Sequence, residues 1–578
     1  GRASIFISDI FVRPDIDSDR IEVWVEVTNT TAEKKEISFL FDVYPRNFLG
    51  NPLTNLKIQG NPAGPGKNVY RFWIKMKNYR LWEPKSPYLY TLRCTLKAKD
   101  RVVDVMDKTF GMRKFHMNEK GESKGAFYLN NKRIFLRGAN EMGHLQQCVM
   151  RGDYEQLIED ILIMKLANMN FLRITQRPVQ QEIYEHLDAL GIMNQTDFPL
   201  FGKLRRNLFE EALRQVGEME KLVRNHPSTI MVSLINEPLG DREIYKQKLE
   251  HRHLLNDELE EFFRAACSII RFYNPDRVIK LVEGTHCGYI QERYVPWGVP
   301  DFHCYVCWYG PDVWGSIDEL HHGYIYSVKP GWMTTCGEYG TEGLDSWETM
   351  KKYYPKEWIP ENPDEEWSPK KIPRSQTWKH HHSWFDTKTT LAEWVRESQA
   401  YQAWATRIMT DAFRRRADVI SGFAVHLLID AWPAGWLKTL VGVDRRPKPA
   451  YYEFADALTP LAVNIRTDRT RYFEGEKLNM EFWIFNDEPE APGNLEIAWY
   501  VLRDGRVLFA SKCPARIKPS GSEFQGYFRW RTPKVKARTK FEVYLALQDP
   551  EGKVLHDHSQ TLEVFPRPNL SELSNVKA

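Results

Sequence analysis

The sequence predicts a multi-domain protein: a central TIM (β/α)₈ barrel flanked by immunoglobulin-like β-sandwich domains. Two changes of hydrophobic period predict it. Apolar residues recur at every second position in the first hundred or so residues and again after residue 459, while the stretch between them alternates short apolar runs with helical spacing. The length of 578 residues agrees, since it exceeds what one core holds and suggests several domains of roughly 100 to 200 residues each. The expected bounds are 1–118 for the first sandwich, 119–458 for the barrel and 459–578 for the second sandwich.

In the first sandwich, IEVWVEV alternates Ile21, Val23, Val25 and Val27 with polar neighbours, and KEISFLFDVY and VYRFWIKM repeat the pattern. Turns such as GNPAGPGKN divide these runs, so half-buried antiparallel strands follow, with no helix of consequence before residue 150. From about residue 125 the texture changes. RIFLRGAN reads as a strand, and DYEQLIEDILIMKLANM puts Leu157, Ile161, Met164 and Leu166 at helical spacing. NFLRIT is a strand, and EIYEHLDALG a helix stopped by Gly191. GIMNQTDF, TIMVSLINEP, RVIKLVEGTH, PDFHCYVCWYG, WMTTCGEYG and VISGFAVHLLIDAWP complete eight strands. Eight β-then-α units without a Gly-rich phosphate turn favour a closed barrel over an open doubly wound sheet. In the second sandwich KLNMEFWIFN, NLEIAWYVLRDGRVLFA, EFQGYFRWR and KFEVYLALQD return to period two. Asp-Gly within residues 503–506 marks a hairpin there, and the polar tail from Pro566 is expected to be loose.

Composition excludes some partners. Lys and Arg number 80 against 77 Asp and Glu, so a net charge of +3 offers no basic field for nucleic acid or an anionic membrane. No run reaches the roughly 18 apolar residues of a membrane helix. The eight cysteines are too widely spread for a disulfide framework and read as reduced, buried thiols. The 19 Trp are unevenly placed: none falls between Trp82 and Trp297, and thirteen crowd residues 297–436.

In such a barrel reactive groups stand at the C-terminal ends of strands. Glu237 ends strand four in LINEP, and Glu338 ends strand seven in CGEYG. Two carboxylates converging over the mouth are what glycosidic cleavage requires, one to protonate the leaving oxygen and one to meet the oxocarbenium-like centre. NEP and GEYG in these places resemble the acid/base and nucleophile signatures of the retaining (β/α)₈ glycosidases. The chain is most similar to glycoside hydrolase family 2, the family of β-galactosidases, β-glucuronidases and β-mannosidases. LWEPKSPYLYTL, FYLNNKRIFLRGAN, NFLRITQRP and WPAGWLKTLVGVDRRPKPAYY carry the likeness over most of residues 1–458.

The resemblance implies a retaining exo-β-glycosidase, with Glu237 as general acid/base and Glu338 as nucleophile. It also implies Arg173 and Tyr305 beside Glu338, Asn236 on the sugar 2-hydroxyl and Trp432 as floor of the sugar site. His303, Asn140 and Asp197 complete the expected substrate-binding set, although Asp197 could as well cap the next segment. Endo-action, with the Trp-rich insertion 347–394 extending the cleft, and a silent carbohydrate-binding subunit are the alternatives. Two to four of the thirteen clustered Trp are expected to touch sugar, with Trp394 and Trp404 in helix packing.

Departures surround the sugar subsite. RGANEM has Met142 where the family often has His, with His144 two residues on, and Thr175-Gln176 replaces a common Ser-His pair. Lys438 lies where glucuronidases place a carboxylate-binding lysine, but Trp436 stands in place of the paired Asn. Cys304 and Cys307, a CxxC beside His303, read as packing, as does Cys336, and the run His380, His381, His382 as a solvated loop. No metal and no cofactor is expected. The expected partner is a carbohydrate substrate. Gly1 is not preceded by Met and family members begin with another β-domain, so the expectation is a fragment, a processed chain or one subunit of a split enzyme. A missing N-terminal sugar-binding domain, a companion subunit or a homo-oligomer would then complete it. The N-terminus does not encode location, and a soluble, cytoplasmic protein is favoured over a secreted one.

Overall fold

The computed structural model describes residues 4–284, 298–309, 328–380 and 388–568. Of the residues singled out above, Cys287, Trp297, Trp314, Trp384, His381 and His382 lie outside the described residues, as does the tail from residue 569. The chain divides into two compact units, the first with the N-terminal sheets and most of the barrel, the second with the C-terminal sheets and the end of the helix before strand eight.

In the first unit, strands Ile5–Asp15, Arg20–Asn29 and Gly66–Lys75 form one antiparallel sheet, and Thr54–Ala63, Lys35–Pro45, Tyr90–Ala98 and Arg101–Phe110 another. Ile21, Val23, Val25 and Val27 share their core with Phe39, Phe41, Leu92 and Leu96. The intervening Glu22 and Trp24, which alternation would leave exposed, are buried too. Glu22 pairs with Arg13, which also reaches Asp276, and Trp24 meets the Phe11 ring edge-on, with Arg224 lying over Phe11 while pairing with Asp9.

Three short strands, Phe115–Met117, Phe127–Leu129 and Lys132–Ile134, lead into the barrel. Their Phe115, Met117, Phe127 and Leu129 pack with Leu136, Phe171, Met193, Ile230 and Val278, which open barrel strands one to five. They plug the end of the barrel where its strands begin. The barrel strands, numbered one to eight, are Leu136–Glu141, Phe171–Ile174, Met193–Asp197, Thr229–Asn236, Val278–Glu283, Asp301–Cys304, Thr334–Tyr339 and Ile420–Val425. They form one eight-stranded sheet in which strand one pairs in parallel with both two and eight. Strands five and six are the two edges of this nearly closed sheet and are bridged by the Val299 N–H, which donates to the Ile279 carbonyl at 3.0 Å, and the Gly284 N–H, which donates to the Asp301 carboxylate at 2.8 Å.

Two expectations are corrected. A helix forms before residue 150, at His144–Arg151. It has no side-chain cap and a short apolar face of Leu145 and Cys148, so neither a capping residue nor a long periodic run announces it. Helix Tyr154–Leu166 buries Leu157, Ile161 and Met164, but Leu166, at its last position, is 77% exposed. Helix Gln181–Leu190 ends at Gly191 in the left-handed region with φ 74°. No helix among the described residues is long and apolar enough to cross a membrane.

After strand seven, the Trp-rich segment packs into a core of its own. Trp367 and Trp394 are buried with Leu344, Met350, Tyr354 and Ile372, and Trp347 and Trp358 lie against them. This core takes in Leu437, from the segment that follows strand eight.

In the second unit, strands Leu461–Arg466, Lys477–Asn486 and Gly521–Arg531 form one sheet. The other holds Arg471–Phe473, Glu496–Arg503, Arg506–Pro514, Thr539–Gln548 and Val554–Phe565. Val463, Met480, Ile484, Val501, Val543 and Leu545 fill the core. The hairpin turns on Asp504 and Gly505, both at positive φ, the two-residue turn whose twist matches its strands.

A side chain at position 191 would bring its Cβ to 2.5 Å from the Pro84 carbonyl oxygen, in a backbone conformation already costly for L-residues. Gly191→Ala is expected to lower the unfolding free energy by about 2 kcal/mol in urea titrations. A loss below about 0.5 kcal/mol would show that the close approach relaxes freely.

Candidate active site

Arg173, inward on strand two and fully buried, lies at the centre of the barrel mouth. Its guanidinium donates to Asp197 from strand three at 2.9 Å and Asn236 from strand four at 2.6 Å. It also donates to Asn140 from strand one at 3.1 Å and Glu338 from strand seven at 2.6 Å. Glu283, ending strand five, is 3.4 Å away. The fixed fork of N–H groups therefore gathers side chains from five strands.

Glu338 accepts from Arg173 on one oxygen and from the Tyr305 hydroxyl, at 2.7 Å, on the other. Burial pushes this carboxyl up, but the facing charges of His303 and Arg173 and the Tyr305 hydrogen bond outweigh it and hold it well below the usual range. Glu237 follows strand four at φ 45°, a left-handed turn unusual for glutamate, and its N–H donates to the Glu283 carbonyl at 2.9 Å. One Glu237 carboxylate oxygen lies 2.8 Å from His303 Nδ1, which is also 3.6 Å from Glu338. Burial pushes the His303 ring down, while Glu338 and Glu237 outweigh it and raise its pKa above the usual value. Glu237, His303 and Glu338 each bring one polar atom to a group whose atoms lie within 4.8 Å of one another.

A second such group is Glu283, Asp301 and His303. Protein cations already serve both: Arg173 at Glu338, and Lys280 at 2.9 Å from both Glu283 and Asp301. Gly337, beside Glu338, makes room for them, since a Cβ there would fall 1.8 Å from the Glu283 carboxylate. Lys280, Glu283 and Asp301 were not among the residues expected from sequence. Glu283 was detectable by the rule that found Glu237, a carboxylate ending an apolar strand, and Lys280 by its charge within VIKLVE.

The expected residues separate into two sets. Glu237, Glu338, Arg173, Asn236, His303 and Tyr305 meet at the mouth. Asn140 and Asp197 are spent within the protein. Asn140 donates to the carbonyls of Gly337, Ala424 and Val425, and Asp197 accepts from Arg173, Gln195, Ser233 and the Gln176 N–H. Their groups hold Arg173 and the strand ends rather than facing open space. Trp432 and Trp436, after strand eight, are 49% and 42% exposed. Trp436 meets the His426 ring edge-on at 5.4 Å, and Lys438 lies 4.6 Å from the centre of the Tyr305 ring. Cys304, Cys307 and Cys336 are buried, His144 is buried, and His380 ends the short helix Thr377–His380.

A family profile described as "Glycosyl hydrolases family 2" matches residues 5–113, and one described as "Glycosyl hydrolases family 2, TIM barrel domain" matches residues 122–353. The chain belongs to glycoside hydrolase family 2. A "Beta-galactosidase" of Thermoanaerobacter pseudethanolicus is 29% identical to it over 195 residues, 32% of this chain and 24% of that protein. "Beta-mannosidase B" of Thermothelomyces thermophilus is 23% identical over 539 residues, 83% of this chain and 58% of that protein. The crystal structure of a Beta-D-Mannosidase from Dictyoglomus thermophilum shares the fold over 97% of this chain and 66% of that one, with a TM-score of 0.73 at 19% identity. The family 2 chain thus spans 24% and 58% of the lengths of these two curated relatives.

Beyond strand seven, Glu342 is buried and accepts from the Thr377 hydroxyl at 2.8 Å and the Gln376 N–H at 2.9 Å. Burial pushes its carboxyl up to about 7. A folded-state value above the ordinary 4.5 means that the protonated group's stabilisation is complete below about pH 4.5 and lost as pH rises through about 7. Glu342→Gln is therefore expected to gain on the parent by about 3 kcal/mol of unfolding free energy between about pH 4 and about pH 8. Denaturant unfolding across that range checks it, and parallel pH profiles would contradict it.

Proposed function

We propose that this chain is a retaining β-glycosidase that works by double displacement through a glycosyl-enzyme intermediate on Glu338. The observation that carries the reading is the close but unequal setting of two carboxylates. Glu237, His303 and Glu338 bring polar atoms within 4.8 Å of one another. Retaining chemistry uses carboxyl groups about 5 to 5.5 Å apart, whereas inversion needs about 6.5 to 9.5 Å to admit a water between them. Glu338, held ionised by Arg173 and Tyr305, suits a nucleophile, and Glu237, on His303, suits a group that gives up and recovers a proton.

In the first step a Glu338 oxygen bonds to the anomeric carbon as the glycosidic C–O bond breaks, and the Glu237 proton passes to the leaving oxygen. In the second, water attacks the anomeric carbon, its proton goes to Glu237, and the ester bond to Glu338 breaks. Asn236, whose amide oxygen is engaged by Arg173, would offer its NH₂ to the sugar 2-hydroxyl, a bond that strengthens as charge develops at the neighbouring carbon. Trp432 and Trp436, the most exposed of the described Trp after strand eight, supply apolar faces for a pyranose ring.

A β-mannoside is the first substrate to test, because the named relative matched over 83% of this chain is a β-mannosidase. β-Galactosides and β-glucuronides follow. The alternative of endo-action through the Trp-rich segment is weaker, since Trp367 and Trp394 of that segment are spent in its own core.

Glu338→Gln is expected to reduce kcat by more than about 10³-fold on any aryl β-glycoside that the parent cleaves. Glu237→Ala is expected to spare the first step for substrates with good leaving groups and to slow the second. Labelling by a 2-fluoro glycoside, mapped by peptide mass spectrometry, should fall on Glu338; a label elsewhere overturns the assignment.

A further inference from the structure

Lys280 lies mid-strand in VIKLVE with its side chain only 2% exposed. A buried ammonium needs carboxylate partners. Its Nζ is 2.9 Å from Glu283 on its own strand and 2.9 Å from Asp301 on strand six. Each of these carboxylates leads to one of the two catalytic ones.

Glu283 leads to Glu338 through Arg173. It accepts from Gln195 at 2.8 Å with one oxygen, and its other oxygen has no hydrogen bond and lies 3.4 Å from Arg173 Nε. Arg173 therefore faces three carboxylates, Asp197, Glu283 and Glu338, with one charge. Asp301 leads to Glu237 through His303: its Oδ2 accepts from the Gly284 N–H and lies 3.9 Å from His303 Nε2, whose Nδ1 meets Glu237. Even beside Lys280, burial and the neighbouring Glu283 push Asp301 up to about 6, so this arm is short of positive charge.

We propose that Lys280 is a positioning residue for the catalytic pair: by pairing with both Glu283 and Asp301 it leaves Arg173 to Glu338 and His303 to Glu237. This rests on the reading of Glu338 as nucleophile and Glu237 as acid/base. A neutral side chain of the same length would fill the space but strand two buried carboxylates. The nearest relief is Arg173, already 3.4 Å from an oxygen of Glu283 with unused acceptor capacity, and each step of Arg173 toward Glu283 weakens its hold on Glu338. The other groups facing Glu338 are Glu237 after strand four, His303 and Tyr305 from strand six, and His426 on strand eight, with Lys438 behind Tyr305. His303, whose ring lies within 4.8 Å of Glu283 and Asp301, already helps to hold the Glu283 carboxyl down and is not a spare cation for it. Cys336 on strand seven, another ionisable neighbour of Lys280, is a buried thiol whose pKa burial raises well above its usual value, so it adds no charge.

The test compares Lys280→Met, Lys280→Arg and the double variant Lys280→Met/Glu283→Gln. Ionisation of Glu338 is read directly by infrared difference titration of ¹³C-Glu-labelled protein against Glu338→Gln, which needs no substrate. The acidic limb of kcat/KM is read on whichever aryl β-glycoside is cleaved. In Lys280→Met the Glu338 midpoint is expected to rise by more than about one pH unit, with the acidic limb moving alike. Lys280→Arg and the double variant should return both toward the parent, because each restores the charge balance at Glu283. A role in packing alone predicts the reverse order, with the double variant at least as impaired as the single. The inference is overturned if folded Lys280→Met leaves the Glu338 midpoint in place. It is also overturned if the double variant keeps the shift or fails to fold, and that outcome decides the matter should Lys280→Met itself not fold. A parent that cleaves no β-glycoside while Glu338 still responds to Lys280 would instead refute the proposed function and leave the positioning role standing.

Discussion

The barrel mouth depends on one buried guanidinium. Arg173 makes hydrogen bonds or ion pairs with side chains from strands one, three, four, five and seven, so the relative heights of those strand ends and the pose of Glu338 are set together. A buried ion pair contributes little net stability, because the desolvation of both charges offsets their attraction. What this cluster supplies is geometry: loss of one partner leaves a charge uncompensated in a medium that cannot solvate it. Asn140 and Asp197 belong to this scaffold, and their polar groups are consumed in holding Arg173 and neighbouring backbone.

The two carboxylates at the mouth, Glu237 and Glu338, become unequal through what they touch. Glu338 sits between a permanent cation and a hydroxyl donor, while Glu237 rests on an imidazole that can give or hold a proton. His303 contacts both, so the charge of one carboxylate is felt at the other through a single ring. Beneath them Lys280 and Asp301 extend the network into the barrel interior, in space kept open by Gly337.

The aromatic concentration has two causes that sequence alone could not separate. Trp367 and Trp394 build the core that stabilises the long segment after strand seven, and Trp308 is buried as well. Trp378, Trp432 and Trp436 keep exposed faces. A large aromatic side chain serves equally as filling or as a sugar platform, and only its burial distinguishes the two.

By itself, the sequence determined the order of elements and the identity of the strand-end carboxylates. Period-two and helical spacing are local consequences of backbone geometry, so the sandwich strands, the eight barrel strands, the Gly191 stop and the Asp-Gly hairpin were legible without tertiary information. Motif likeness added Glu237, Glu338, Arg173 and Tyr305 as neighbours, residues that span 165 positions of chain from Arg173 to Glu338. Tertiary structure alone decided the rest. It assigned Asn140 and Asp197 to the scaffold, made Leu166 an exposed helix end, and placed the uncapped helix His144–Arg151. It also joined Lys280, Glu283 and Asp301 beneath the mouth. Those outcomes depend on which side chains from distant strands reach the same few ångströms and on how their charges and hydrogen bonds are shared there. Spacing along the chain does not carry that information, because the partners meet only when the barrel closes.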